Sequence, residues 1–160
     1  MVGDTVDEPD ETFFVNLSNA VNATILDAQG VGTITDDDAA ATACTIVGTH
    51  GYDTITGTTG DDVICGLSGK DTIDGAGGND TLVGNNGKDV LIGGDGNDVL
   101  LGGNGKDDLT GGAGSDALTG GNAPDSLNTQ DGVSGNDSAD GGRGPDTCLV
   151  DSGDPVRSCS

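Results

Sequence analysis

A nine-residue phrase repeats without a gap from Gly48 to Asn128, and this period constrains the fold more than any other feature of the sequence. Its nine copies follow G-(G/x)-x-G-x-D-x-(Ile/Leu)-x, although Ala123 replaces the second fixed glycine of the ninth copy. Two looser copies, 132–140 and 141–149, come after a three-residue slip at 129–131. Stacked copies can merge regularly spaced aliphatic side chains into one core. The period therefore predicts a repeat protein rather than a disordered chain.

The strictest positions of the phrase are six and eight, which hold Asp and a branched aliphatic residue in every copy. Ile46 lies nine residues before Ile55 and is in phase with the aliphatic positions. A merely solvated acidic face would mix Asp with Glu and would lack phase. Only Glu8 and Glu11 are Glu in this chain. The aspartates at position six are Asp53, Asp62, Asp71, Asp80, Asp89, Asp98, Asp107, Asp116 and Asp125.

Composition limits both the core and the partners of the chain. The 160 residues include no Trp, two Phe and one Tyr, which leaves little for a large globular core. A formal net charge of -23 excludes nucleic acid and anionic membranes as electrostatic partners and makes cations the natural ones. No apolar run approaches the roughly 18 residues that span a bilayer, so we expect no membrane span.

The four cysteines favour two disulfides and therefore an oxidising, extracellular setting. If two copies of the phrase make one coil, Cys44 and Cys65 are near enough to bridge, and two unpaired thiols are the alternative. Cys148 and Cys159 would close a small loop as a cap. The N-terminus lacks the features of a signal peptide. We therefore expect Met1 to begin a fragment of a longer secreted chain with upstream domains.

The chemistry of one copy predicts a turn followed by a short strand. Glycines at positions one and four, and often two, permit backbone conformations with positive φ and a tight turn with inward carbonyls. The x-(Ile/Leu)-x segment suits a three-residue strand. Two turns and two strands would form a flattened coil of eighteen residues, with copy n stacked on copy n+2 at roughly 4.8 Å.

This stacking predicts columns of aspartates that repel each other unless a cation binds between them. Two carboxylates with several turn carbonyls give the oxygen-only shell that Ca²⁺ accepts, whereas Mg²⁺ requires stricter geometry and retained water. We therefore predict Ca²⁺ as the ligand. Nine copies give 9 − 2 = 7 stacked pairs, so the roll should hold about seven ions at most.

The repeats resemble the RTX family of Ca²⁺-binding nonapeptides, G-G-x-G-x-D-x-U-x, which fold as a parallel β-roll. The resemblance implies that ions lie between turns n and n+2, on the Asp side chains and the carbonyls of the Gly-rich turns. Thr49 and Thr58 at position two and Ala123-Pro124 depart from the pattern, so we expect the best sites between Gly66 and Asp116. The turn ligands implied by the resemblance are Gly75, Gly77, Gly78, Gly84, Asn86, Gly87, Gly93, Asp95, Gly96, Gly102, Asn104 and Gly105.

Residues 1–38 lack the nine-residue period and suggest strands at Thr12–Leu17, around Ala23–Leu26 and at Val31–Thr35. Through GDTVDEPDETF, NLSN and GVGTITDDD this segment resembles the C-terminal half of a Calx-β domain. The strands that precede this half in the family are missing before Met1, so a structural remnant without Ca²⁺ is the alternative. The Ca²⁺ ligands that the resemblance implies are Asp4, Glu8, Asp36, Asp37 and Asp38.

The sequence as a whole predicts an all-β protein, a parallel β-roll preceded by a partial Calx-β sandwich. We expect a partial sandwich at 1–38, a linker and first strand at 39–47, the roll at 48–149 and a disulfide-closed cap at 150–160. His50 is the only histidine and has no catalytic context, so we expect no enzyme. The predicted function is a Ca²⁺-binding module of a secreted protein that folds when the ion binds. The alternatives are a calcium-rigidified adhesive spacer and the C-terminal module of an exoenzyme or toxin. The residues identify no protein or glycan partner.

Overall fold

The computed structural model describes residues 11–16, 29–34 and 44–159. The chain divides into two compact units, 1–43 and 44–160. In the first unit, β1 (Glu11–Asn16) and β2 (Gln29–Ile34) form an antiparallel pair. These strands agree with two of the three predicted from the sequence.

Several predictions for the first unit fall outside the described residues. They are the strand around Ala23–Leu26 and the implied Ca²⁺ ligands Asp4, Glu8, Asp36, Asp37 and Asp38. A two-stranded antiparallel pair occurs in many folds, so the partial Calx-β sandwich stays a prediction.

The second unit consists of two parallel sheets between which successive long strands alternate. The first sheet contains β3 (Ile46–Val47), β5 (Val63–Cys65), β8 (Thr81–Gly87), β10 (Val99–Asn104), β12 (Ala117–Asn122), β14 (Ser138–Arg143) and β16 (Val156–Arg157), with β6 (Ser68–Gly69) also pairing β8. The second sheet contains β4 (Thr54–Thr56), β7 (Thr72–Gly77), β9 (Val90–Asp95), β11 (Asp108–Ala113), β13 (Ser126–Asn128) and β15 (Thr147–Leu149). The described part of the chain contains no helix, and hence none long and apolar enough to cross a membrane.

Strand register confirms that copy n stacks on copy n+2. Thr72 pairs with Val90, eighteen residues later, and the same spacing joins Val90 to Asp108. Across the slip, Ala117 pairs with Ser138, twenty-one residues later. The three extra residues therefore lengthen one coil without shifting the phase of the strands.

The central strands are longer than the predicted three residues. β7 runs from Thr72 to Gly77 because positions two and three of the next copy also join the ladder, as in the pairing of Ala76 with Gly94. Gly75, at position one, has no paired residue in this register. Three-residue strands occur only toward the ends of the roll, in β4, β5, β13 and β15.

The core is the column of side chains at position eight, as the period predicts. Within each strand burial alternates, so that neighbours on either side of position eight face outward. Ile46, Ile55 and Cys148 pack against the ends of the column and are partly buried. Its buried members are Ile64, Ile73, Leu82, Leu91, Leu100, Leu109, Leu118, Leu127 and Ala139.

Two disulfides staple the ends of the roll. Cys44 bonds Cys65, and Cys148 bonds Cys159, so that all four cysteines are paired as predicted. The first bridge ties β5 to the residues that lead into β3, and the second ties β15 to the chain beyond β16. Both ends of the roll are thereby cross-linked covalently.

Candidate metal centre

The glycines of the turns meet two different constraints. From the third copy onward position four has positive φ, as at Gly96 (132°), and so does position two, as at Gly94 (113°), although three copies place another residue at position two. Position one of the nine regular copies does not, which corrects the expectation that its glycine supplies a left-handed conformation. A Cβ on Gly84 would lie 2.6 Å from Asp89 Oδ2 and 2.8 Å from the carbonyl oxygen of Gly102. Position one must therefore be glycine because oxygen atoms crowd its Cα.

The position-six aspartates form two columns, one along each row of turns. The backbone N–H of each Asp donates to Oδ1 of the Asp two copies later, as from Asp80 to Asp98 at 2.8 Å and from Asp89 to Asp107 at 2.9 Å. The slip does not interrupt this pattern, because Asp116 N–H donates to Asp137 Oδ1 at 2.7 Å. One oxygen of each carboxylate is thus fixed by the backbone of a neighbouring coil.

The second carboxylate oxygen of most of these aspartates is buried without a hydrogen-bond partner. A buried carboxylate oxygen without a partner costs on the order of 1–3 kcal/mol, more when the group is charged. The residues concerned are at most 3 % exposed. They are Asp71, Asp80, Asp89, Asp98, Asp107, Asp116, Asp125 and Asp137.

These Oδ2 atoms share their surroundings with backbone carbonyl oxygens. A Cβ on Gly102 would meet Asp107 Oδ2 and the Gly120 carbonyl oxygen, each at 2.6 Å, so both oxygens flank the same Cα. Among the described residues no three His, Cys, Asp or Glu side chains converge on a metal position. An ion between the coils would therefore need carbonyl oxygens as well as carboxylates. An anionic, oxygen-only donor set of this kind fits Ca²⁺.

Comparison with known protein families agrees with this geometry. The family model described as the RTX calcium-binding nonapeptide repeat matches residues 45–73, 74–109, 83–118, 110–133 and 131–154. The chain belongs to the RTX calcium-binding repeat family. It is thus a Ca²⁺-binding repeat module folded as a parallel β-solenoid. No curated protein and no solved structure matches it.

The first two RTX copies differ from the others in the hydrogen bonds that their position-six carboxylates accept. Asp53 Oδ2 accepts hydrogen bonds from the Thr49 N–H at 2.6 Å and from its hydroxyl at 2.9 Å. Asp62 Oδ2 accepts the equivalent bonds from Thr58 at 2.7 and 2.9 Å. A threonine at position two therefore occupies the oxygen that is left without a partner elsewhere. This contact gives a physical reason to expect weaker ion binding at the N-terminal end.

The RTX turn residues implied as ligands do not all offer a carbonyl oxygen to the same place. Position-one carbonyls lie beside the Oδ2 atoms, as for Gly93, whose carbonyl oxygen flanks Gly75 together with Asp80 Oδ2. At position three, the Asp95 carbonyl accepts a ladder hydrogen bond from Gly78 N–H at 2.9 Å. At position four, the Gly78 carbonyl faces the Cα of Gly96. The geometry therefore favours the carbonyls of Gly75, Gly84, Gly93 and Gly102 over those of Gly77, Gly78, Asn86, Gly87, Asp95, Gly96, Asn104 and Gly105.

The side chains of two implied ligands have other partners in the RTX roll. Asn104 Nδ2 donates to Asn86 Oδ1 at 3.0 Å, and Asn122 Nδ2 continues the ladder to Asn104 Oδ1 at 2.8 Å. Asp95 is exposed on the surface. The asparagine ladder joins neighbouring coils at the surface, and all of these exposed side chains lie apart from the buried carboxylates.

Burial raises the pKa of the central RTX aspartates, while the backbone hydrogen bond from each column neighbour lowers it and the neighbour's charge raises it to a smaller extent. Burial raises the pKa of Asp107 to about 6, against a hydrogen bond from Asp89 that lowers it and the charges of Asp89 and Asp125 that raise it. The pKa of Asp116 also rises to about 6, mainly through burial. Asp107 and Asp116 therefore ionise at a higher pH than an ordinary aspartate, but both are mostly ionised at pH 7.

The sequence analysis missed a further, degenerate copy at the C-terminus. Val156 pairs with Ala139 in register, and Asp154, two residues earlier, occupies the place of position six. Asp154 Oδ1 accepts the N–H of Gly135 at 2.7 Å and that of Asp137 at 3.4 Å. The signal was the spacing Asp-x-Val, which matches the Asp-x-(Ile/Leu) of the repeat.

Proposed function

We propose that residues 44–160 act as an extracellular module that folds when Ca²⁺ binds between copies n and n+2. The observation that carries the proposal is the column of buried Oδ2 atoms without hydrogen-bond partners, which from Asp71 to Asp107 lie beside position-one carbonyls. In the absence of an ion, these oxygens face one another's charge at low dielectric and lack compensation. A bound divalent cation would supply that compensation and so stabilise the stacked coils.

The proposed ligands are the position-six carboxylates together with the carbonyls of the position-one glycines. The nine regular copies form seven stacked pairs and so would hold about seven ions at most, and the Asp116–Asp137 pair continues the column across the slip. The pairs that include Asp53 or Asp62 should be the weakest, because Thr49 and Thr58 already satisfy one oxygen there. The two disulfides support an extracellular setting, since such bonds persist in oxidising compartments.

The proposal predicts a cooperative coil-to-β transition when Ca²⁺ is added to the decalcified chain. Far-UV circular dichroism during a Ca²⁺ titration measures it, with Mg²⁺ as the matched control and with both disulfides kept oxidised. Ca²⁺ should induce the transition, and Mg²⁺ should not at the same concentration, because it retains water and needs octahedral geometry. A spectrum that is already rich in β structure in EDTA and does not respond to Ca²⁺ would refute ion-coupled folding.

The raised pKa values of Asp107 and Asp116 predict opposite effects of acid on the apo and loaded forms. Their folded-state pKa of about 6 lies above the ordinary 3.8, so the fold prefers their neutral form. The apo roll should therefore gain stability as the pH falls from about 6 towards 4. Ca²⁺ affinity should fall over the same range, because protonated carboxylates cannot bind the ion.

Circular dichroism of the decalcified chain and Ca²⁺ titrations at pH 7, 6, 5 and 4 measure both effects. The variant with Asp107→Asn and Asp116→Asn should show a weaker pH dependence near 6, since its amides do not titrate. Equal Ca²⁺ affinity at pH 7 and pH 5 in the unsubstituted chain would contradict the prediction.

A further inference from the structure

The two rows of turns differ in the residue at position five, which is exposed in all nine regular copies. In the row formed by the even-numbered copies, this side chain accepts a backbone hydrogen bond from the next coil. Asp61 Oδ1 accepts the Asn79 N–H at 2.7 Å, and Asn79 Oδ1 accepts the Asn97 N–H at 3.0 Å. Asn97 Oδ1 continues the series to the Ser115 N–H at 2.8 Å. Position five therefore supports the stack in this row.

The row formed by the odd-numbered copies has lysine at the same position. A lysine ammonium donates hydrogen bonds but cannot accept them, so it gives the next coil no acceptor for its backbone N–H. Folding alone would favour Asn or Asp here, as in the other row. These lysines are therefore explained by what they present to solvent. They are all the lysines of the chain, Lys70, Lys88 and Lys106.

The three lysines form a column along one edge of the roll. The strands that follow them pair in register, Thr72 with Val90 and Val90 with Asp108, so neighbouring lysines lie one coil apart, at roughly 4.8 Å. All three are exposed. The aspartate after each lysine is at most 1 % exposed, so its carboxylate lies inside the roll. The lysine column thus presents regularly spaced positive charges at the surface.

An exposed ladder of amides runs along the same row of turns, two residues before the lysines. Asn104 Nδ2 donates to Asn86 Oδ1 at 3.0 Å, and Asn122 Nδ2 donates to Asn104 Oδ1 at 2.8 Å. Each donating amide has two N–H groups, and the ladder uses one of them. The other can donate to a ligand beside the lysine column.

Tyr52 continues the lysine column by one coil towards the N-terminus. It occupies position five of the first copy, and the Asp53 N–H next to it donates to Asp71 Oδ1 of the following coil at 3.0 Å. Tyr52 is the one aromatic residue of the segment 44–160, and it is 84 % exposed. Its ring therefore contributes nothing to the core and offers an apolar surface at the end of the column.

Ca²⁺ loading removes the net charge that would oppose an anionic ligand. Residues 44–160 contain 19 Asp and all five Lys and Arg, a formal net charge of 5 − 19 = −14. About seven Ca²⁺, the number proposed above for the nine regular copies, would cancel it. The following inference therefore rests on the proposed Ca²⁺ binding, because a positive edge attracts anions only when the rest of the roll does not repel them.

We propose that this edge of the calcium-loaded roll binds an extended acidic polysaccharide, with one carboxylate on each sugar. Such a chain advances per sugar by a distance similar to one coil, so successive carboxylates can meet successive lysines. The asparagine ladder can bind the hydroxyl groups, and the Tyr52 ring can stack on the apolar C–H face of one sugar. A single chain contacts this edge alone, whereas a DNA duplex or a membrane surface would also meet exposed carboxylates such as that of Asp108.

Calorimetry of the 160-residue chain in Ca²⁺ tests the proposal, with a hexasaccharide of galacturonic acid as the ligand. The ligand is kept short because long polyuronates gel with Ca²⁺. Lys88→Asn should weaken binding about tenfold, as expected for the loss of a hydrogen bond to a charged group. Tyr52→Ala should also weaken binding, and Tyr52→Phe, which keeps the ring, should not. A hexasaccharide of galactose, which lacks the carboxylates, should not bind.

Arg157→Asn is the matched control for Lys88→Asn, because it removes an exposed positive charge on β16, away from the row of turns. It should bind the hexasaccharide like the unsubstituted chain. Urea denaturation in Ca²⁺ separates binding from folding. Lys88→Asn should be at least as stable as the unsubstituted chain, since its amide oxygen can accept the Lys106 N–H as Asn79 accepts the Asn97 N–H.

Three results would overturn the proposal while the Ca²⁺-dependent roll stands. The first is unchanged affinity in Lys88→Asn, and the second is no binding by an unsubstituted chain that circular dichroism shows to be folded in Ca²⁺. The third is equal affinity for a glutamate hexapeptide, which would mean that the edge does not select a polysaccharide. If the unsubstituted chain binds no Ca²⁺, the proposed function fails, and the polysaccharide edge fails with it.

Discussion

Gly78→Ala should lower the free energy of unfolding by about 3 kcal/mol or more, because strain and overlap in the stacked turns add together. Gly78 has a φ of 113°, a conformation that side chains with a Cβ rarely adopt. An added Cβ would lie 2.5 Å from the carbonyl carbon of Gly60 and 2.8 Å from the backbone nitrogen of Asp61. Both atoms belong to the backbone of the coil below and cannot rotate away. Urea denaturation in saturating Ca²⁺, followed by circular dichroism, measures the loss.

The adjacent Gly77→Ala is the matched control. Gly77 has no left-handed φ, and its Cβ would approach nothing closer than 3.6 Å, which is ordinary contact. Its effect should remain within about 1 kcal/mol, as is usual for substitutions without overlap or strain. Equal losses in the two variants would show that the stacked turns move apart easily, contrary to the close approach of their backbones.

Much of the roll follows from the period alone. Nine residues per turn and strand require an eighteen-residue coil, and this coil brings position eight of every copy into one column. The register of Thr72 with Val90 and the burial of Leu91 and Leu100 confirm it. The bridge between Cys44 and Cys65 follows from the same coil, because it places them on adjacent coils.

The details of the turn could not be predicted in this way because they depend on contacts between coils. A single copy does not show that position one is crowded by oxygens from its own Asp and from the copy two further on. It also does not show that strands continue to position three, since the extra ladder bonds form only between stacked turns. The local pattern gave the right reason for the glycine at position four, where φ is positive, and the wrong reason for the glycine at position one.

The contacts at the two ends of the roll could not be predicted from the period. The degenerate copies there are held by contacts that the regular copies do not make. Asp154 caps one column although its copy retains only the spacing Asp-x-Val. Thr49 and Thr58, which looked like simple departures from glycine, satisfy carboxylate oxygens with their hydroxyls. Matching the sequence to the repeat consensus detects neither contact, because each depends on which side-chain atom lies next to a carboxylate or a backbone N–H.

Asp98→Asn should stabilise the roll without Ca²⁺ and destabilise it with Ca²⁺. Asp98 is 1 % exposed, its Oδ1 accepts the Asp80 N–H at 2.8 Å, and its Oδ2 has no hydrogen-bond partner. An asparagine keeps the acceptor and removes a buried charge, which should gain about 1–3 kcal/mol in the apo state. In Ca²⁺ the same change removes a ligand from the proposed sites of two stacked pairs. Each lost ion costs about 2.7 kcal/mol when Ca²⁺ is at 100 times its Kd.

The opposite effects of Asp98→Asn on stability with and without Ca²⁺ distinguish an ion-binding column of aspartates from a purely structural one. Stability without the ion is followed by circular dichroism in EDTA as sucrose is added, because this osmolyte favours the compact state. Stability with the ion is followed by urea denaturation in Ca²⁺. Asp108→Asn, which removes an exposed charge from β11, should change neither by more than about 0.5 kcal/mol. If Asp98→Asn stabilises the roll equally in EDTA and in Ca²⁺, Asp98 binds no ion, and its buried charge is only a cost to the fold.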